Sequence, residues 1–244
     1  MEISVQMYSV REALAHDVQG TVGRLVELGL THAEPYQLLE YRDELVRARE
    51  QFPIDFPSAH QSFLGDVDFP AVLEAAQAVG VQYLIDPFWN PADWTDAGKL
   101  RALAETLNQR AAAAAEAGIR VGYHNHHFEL ASRLEGRTAL EVFAEELDPQ
   151  VVLEVDTYWA AVGGADVPAL LGALGDRVQL VHLKDGDLSQ DASAQLPLGS
   201  GKMPLAETLR AASGVHYGVI EFDDYAGDMF EGIAASLTHL RQTA

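Results

Sequence analysis

The sequence predicts an α/β fold, a single (β/α)8 TIM barrel formed by residues 1–244. Three observations point to it. Strand-like apolar runs and segments of helical spacing alternate eight times, at a mean interval of about 31 residues, the chain needed for one βαβ unit. The length of 244 residues is close to the ~250 typical of such barrels. No linker rich in Pro, Gly or Ser divides the chain, and the first run lacks the Gly-rich turn of a dinucleotide-binding sheet.

The strand-like runs are 2–8 (EISVQMY), 31–35 (THAEP), 55–61 (DFPSAHQ), 82–88 (QYLIDPF), 119–125 (IRVGYHN), 150–156 (QVVLEVD), 177–184 (RVQLVHLK) and 217–222 (YGVIEF). Between them lie 18–29 (VQGTVGRLVELG), 69–80 (FPAVLEAAQAVG), the alanine-rich 97–118 and 229–242 (MFEGIAASLTHLRQ), all with helical apolar periodicity. Gly29, Gly80 and Gly118 stand where helices commonly stop.

Composition narrows the function. Lys and Arg total 16 against 37 Asp and Glu, a formal charge of −21, which repels phosphate backbones and argues against a nucleic-acid partner. With no cysteine, disulfides and thiolate metal sites are ruled out, so any ion must be held by imidazole, carboxylate or water. No run reaches the ~18–20 apolar residues of a membrane span, and the first residues carry no apolar leader. The expectation is a cytoplasmic protein without a membrane partner.

Residues two apart on a strand share a face, and barrel chemistry gathers where strands end. By that parity Val178, Leu180, His182 and Lys184 lie together, as do Val152, Glu154 and Asp156, Val219, Glu221 and Asp223, and Gly122, His124 and His126. On the earlier strands Ser58 matches His60, and Gln6 matches Tyr8. Four successive strands thus bring an ionisable residue to one rim: His124 or His126, Asp156, His182 and Glu221. A divalent cation there would offset the desolvation of the two carboxylates. Glu154, one layer deeper, is expected to support rather than ligate. An isolated Asp after a strand is otherwise an ordinary helix N-cap.

"VQMYSVR", "SAHQSF", "VGYHNHHFEL", "LEVDTYW", "VQLVHLKD", "PLGSGKMPL" and "VIEFDD" together resemble the sugar phosphate isomerase/epimerase family of xylose isomerase-like TIM barrels, across essentially the whole chain. That group includes inosose isomerases and dehydratases and ketose 3-epimerases. The resemblance implies one divalent ion (Mn²⁺, Mg²⁺, Co²⁺ or Zn²⁺) held on four successive strands. Asp156, His182 and Glu221 match the last three ligands, and His124 stands where many members carry Glu, with His126 and Glu129 as nearby substitutes.

The activity implied is isomerisation or epimerisation of a keto-sugar or inositol-like polyol by proton abstraction next to a carbonyl, through a metal-stabilised enediolate. Glu221 is the expected base, Glu129 or His126 the opposite acid/base, and Lys184 a partner for developing oxyanion charge or for substrate. Tyr8, His60, Trp89 and Trp159 are expected to contact substrate, with Phe88 beside them. If the enolate expels a β-hydroxyl, the same site is an inosose-type dehydratase. A non-catalytic carbohydrate-binding barrel and, far behind on charge grounds, a nuclease are the other classes. Homo-oligomerisation is left open.

Overall fold

A computed structural model describes residues 1–243. Seven parallel strands form one sheet, and a segment at 32–36 joins its two edges. Numbered as barrel staves, these are β1 (Glu2–Val5), β2 (32–36), β3 (Ser58–His60), β4 (Tyr83–Asp86), β5 (Arg120–His124), β6 (Val152–Asp156), β7 (Val178–Leu183) and β8 (Tyr217–Ile220). β8 lies between β1 and β7, so the last stave meets the first. β2 is a string of single bridges, Gln6 to Glu34, His32 to Asp55 and Tyr36 to His60. Pro35 supplies no N–H but its carbonyl accepts from His60 N at 2.8 Å, which is why this stave closes the ring without a continuous ladder.

The helical segments form as their periodicity predicts: Val18–Glu27, Phe69–Val79, Ala97–Glu116 and Met229–Thr243. Asp96 caps the third, its carboxylate accepting from Gly98 N and Lys99 N. Leu100, Leu103, Ala104, Leu107, Ala111 and Ala114 make its buried stripe, so the alanine tract is a packed helix.

The core divides in two. The larger apolar cluster fills the layer between staves and helices. A smaller one, Tyr83, Ile85, Val152 and Leu180 with Tyr217 against it, occupies the barrel interior. In β7 the face expected for Val178 is corrected. The register shifts between Leu153 and Glu154, so Leu153 pairs with Val178 but Glu154 with Leu180. Val178 therefore packs outward while Leu180 packs inward, and His182 still meets the interior. Above the inner cluster the interior turns polar, with Gln6, Glu34, His60, His124, Glu154, Asp156, His182 and Glu221 all buried. No described helix is long and apolar enough to cross a membrane.

Candidate metal and active site

His124, Asp156, His182 and Glu221 converge at the rim. Each offers one ligand atom, and those atoms lie within 4.8 Å of one another, all on buried residues. His182 Nδ1 is 2.6 Å from Glu221 Oε2, and His124 Nε2 is 3.8 Å from Asp156 Oδ2. Asp156 serves two purposes. Its Oδ1 accepts from Trp159 N at 2.8 Å and caps the helix Thr157–Val162, leaving Oδ2 for the site.

Lys184 Nζ lies among three carboxylates, 2.9 Å from Asp156, 2.6 Å from Glu221 and 2.7 Å from Asp223. It is out of hydrogen-bond alignment with Asp156 Oδ2, which has no hydrogen-bond partner although buried. Three carboxylates outnumber the two neighbouring cations, Lys184 and His182, so the group keeps a surplus of negative charge that a cation would offset. Two imidazoles and two carboxylates suit a divalent ion, so the residues present fit it.

The protein's own charges set the protonation states. Burial opposes ionisation of Glu221, but the Lys184 and His182 cations outweigh it and hold its carboxyl well below the usual range. Burial lifts Asp156 to about 6 against the pull of Lys184. Burial, with His182 beside it, pushes His124 well down and keeps its imidazole neutral.

Below this group Glu154 Oε2 meets His60 Nε2 at 2.5 Å and His124 Nδ1 and His182 Nε2 at 3.1 Å each. Glu34, which sequence reasoning missed, lies 2.8 Å from His182 Nε2 and accepts from Gln6 Nε2 at 2.7 Å. Its signal is present in "THAEP", where Glu34 is buried on β2 and bridges to Gln6 just after β1.

The rim opens into a cavity of about 320 Å³ lined by residues that include Tyr8, Tyr36, His60, Phe88, His126 and Glu221. Of the residues expected to touch substrate, Tyr8 and His60 line it. Trp89 does not. Its indole donates to Asp93 Oδ2 at 3.1 Å outside the mouth, because neighbouring residues point oppositely and Phe88 takes the inward place. Trp159 is buried behind the wall, where its indole donates to Asp223 Oδ2 at 3.1 Å. Lys184 is likewise beneath the lining.

Glu129 is absent from the lining as well. It is fully buried, with Tyr123 Oη donating to Oε1 at 2.8 Å and His126 N to Oε2 at 2.9 Å, and it holds the loop that aims His126. Burial raises its pKa from 4.5 to about 8. Between those values the native state keeps a proton that the unfolded chain gives up, so this contribution to stability is full below about pH 4.5 and lost by about pH 8. Glu129→Gln is expected to remove a loss on the order of 5 kcal/mol over that range. Denaturant midpoints at pH 5 and pH 8 measure it; parallel pH dependence in both proteins would show that Glu129 titrates normally.

"VHLKD" and "LGSGK" are one device. Asp185 accepts from four backbone amides, Gly186 and Met203 through Oδ1 and Gly199 and Gly201 through Oδ2, at 2.8–3.0 Å. The amides that a phosphate would use in a Gly-rich loop are thus taken by the chain's own carboxylate. A Cβ on Gly201 would stand 2.2 Å from Asp185 Oδ1 and 2.4 Å from Gly186 N. The fastened loop brings Gln195 onto Asp223, with Nε2 donating to Oδ2 at 2.6 Å and Oε1 accepting from Asp223 N at 2.8 Å. Gly201→Ala is expected to cost about 2 kcal/mol and to lower Tm by about 4–8 °C. An unchanged melt would show that the loop closes without this contact.

The comparisons with known proteins fit this geometry. Residues 55–242 match the family model described as the xylose isomerase-like TIM barrel. The chain belongs to that family. Over 152 residues it is 28% identical to the inosose dehydratase of Lactiplantibacillus plantarum, a match covering 59% of this chain and 46% of that relative, so less than half of the relative's length is spanned. A solved sugar phosphate isomerase/epimerase from Parabacteroides distasonis has the same fold, with TM-score 0.84, 20% identity and coverage of 98% and 93% of the two chains. The IolI protein, solved with a binding zinc atom, superposes with TM-score 0.78 at 14% identity, covering 100% and 98%.

Proposed function

We propose that this xylose isomerase-like barrel is a divalent-metal-dependent isomerase or epimerase acting on a keto-sugar or inositol-like polyol. The observation that carries the reading is the group His124, Asp156, His182 and Glu221 gathered beneath the cavity, with a buried carboxylate oxygen that accepts no hydrogen bond and a surplus of negative charge. These four residues would hold the ion, one of Mn²⁺, Mg²⁺, Co²⁺ or Zn²⁺. When bound it supplies Lewis-acid polarisation of a carbonyl oxygen.

The remaining work falls to the chain's own groups. Glu221 and His126 come from β8 and from the loop after β5, so they reach the cavity from well-separated staves. Glu221 is held ionised and accepts the proton from the carbon next to the carbonyl. His126, kept neutral by burial and by the Lys184 charge, has its Nδ1 without a partner and exchanges a proton with the neighbouring centre. This replaces Glu129, whose place is structural. Lys184 holds the carboxylates of Asp156, Glu221 and Asp223 in place. Tyr8, Tyr36 and Phe88 provide apolar faces for a small ring, and Gln37, Gln61 and Ser62 provide polar groups for its hydroxyls.

The test is incubation in D₂O with a panel of keto-inositols and ketoses and Mn²⁺ supplied. Deuterium is expected at the carbon beside the carbonyl of at least one member, and chelation is expected to stop its incorporation. No exchange across the panel in ion-loaded protein would discard the reading. The inosose dehydratase relative favours a second outcome, in which the same proton loss is followed by departure of a β-hydroxyl. A product lighter by one water identifies it.

A further inference from the structure

We propose a second divalent-ion position one layer deeper in the barrel, formed by His60, His124, Glu154 and His182, and selective for ions that prefer nitrogen donors. These four residues also offer ligand atoms within 4.8 Å of one another, and all are buried. The distribution of their contacts is the reason to read more than a hydrogen-bond network. Three imidazole nitrogens gather on one oxygen of Glu154, at 2.5, 3.1 and 3.1 Å, while Oε1 is buried without a partner. Glu34 repeats the pattern. Its Oε1 meets Gln6, His182 and His60 at 2.7, 2.8 and 3.2 Å, and its Oε2 has none. Each carboxylate thus keeps one buried oxygen that accepts no hydrogen bond and is free to ligate. Atoms bound to one tetrahedral Zn²⁺ at ~2.0–2.1 Å sit about 3.3–3.4 Å apart, so the two 3.1 Å pairs around Glu154 lie near that spacing and His60, at 2.5 Å, must draw back by about 0.8 Å to share the ion.

The two positions use opposite nitrogens of the shared rings. His124 turns Nε2 toward Asp156 and Nδ1 toward Glu154. His182 turns Nδ1 toward Glu221 and Nε2 toward Glu154. The deeper set has three imidazoles and one carboxylate, against two and two above. It therefore favours Zn²⁺, Co²⁺ or Ni²⁺, whereas the rim suits Mn²⁺ or Mg²⁺ better. The identity of the ion selects the layer, and because a neutral imidazole has one lone pair to give, each shared ring serves one layer at a time.

Co²⁺ and Mn²⁺ titrations of the double variant Asp156→Asn, Glu221→Gln test this. It is expected to keep one Co²⁺ per chain, with tetrahedral visible absorption and affinity within about tenfold of wild type, while Mn²⁺ affinity falls by roughly 100-fold or more. In His60→Gln, Glu154→Gln the order reverses, with Co²⁺ weakened by roughly 100-fold and Mn²⁺ retained. Loss of both ions from the first double variant would overturn the deeper position. Should that variant fail to fold, His60→Gln alone answers the same question, because His60 belongs only to the deeper group and an unchanged Co²⁺ affinity in it would overturn that position. Failure of the catalytic reading is distinct: it would appear as Mn²⁺ binding indifferent to Asp156 and Glu221.

Discussion

Asp156→Asn is expected to lower proton–deuterium exchange by about 10²–10³-fold, the scale seen when one preorganised charged contact is removed from a reacting centre. The substitution is nearly isosteric, and the amide oxygen can still accept from Trp159 N, so the cap of the helix Thr157–Val162 survives. What disappears is the charge on Oδ2, the buried oxygen without a hydrogen-bond partner. With one carboxylate gone, the group around Lys184 and His182 loses its surplus of negative charge, and a divalent ion is matched less well. Exchange rates and Mn²⁺ affinity measured on the same preparation report both effects. Wild-type exchange from a folded Asp156→Asn protein would remove this carboxylate from the site.

The second large effect concerns stability. Lys184→Met preserves side-chain length and removes the cation that lies 2.6–2.9 Å from three carboxylates. Removing one partner of a buried ion pair typically costs ~3–5 kcal/mol, because the other is left charged and dry. That loss is expected in chelator, followed by recovery when a divalent ion is added, since the ion replaces the missing positive charge. Wild type should gain less from the same addition. Equal stability of the two proteins in chelator would mean that the ammonium does not hold these carboxylates.

Much of the site was legible because barrel geometry turns residue parity into position. Once β5 to β8 are staves, parity brings His124 or His126, Asp156, His182 and Glu221 to one rim, and the structure gathers His124 with the other three. The aromatic residues were less legible. A tryptophan after a strand carries no mark of direction: Trp89 gives its indole N–H to Asp93 outside the mouth, and Trp159 reaches the lining carboxylate Asp223 from behind. Glu129 has the composition of an acid/base, but only packing reveals that Tyr123 and the His126 amide enclose it. Glu34 was missed because its stave is broken by Pro35 and reads weakly as a strand.

The amino-acid order by itself determined the alternation of strands and helices, the barrel that follows from it and the four ligand candidates, since period-2 and period-3.6 patterns are local properties of the chain. Tertiary structure decided the rest: that Lys184 is held among three carboxylates, that Asp185 fills the glycine loop, and that three imidazoles crowd a single oxygen of Glu154. Those are contacts between residues up to 94 positions apart, set by how staves stagger and how a buried charge finds its partners.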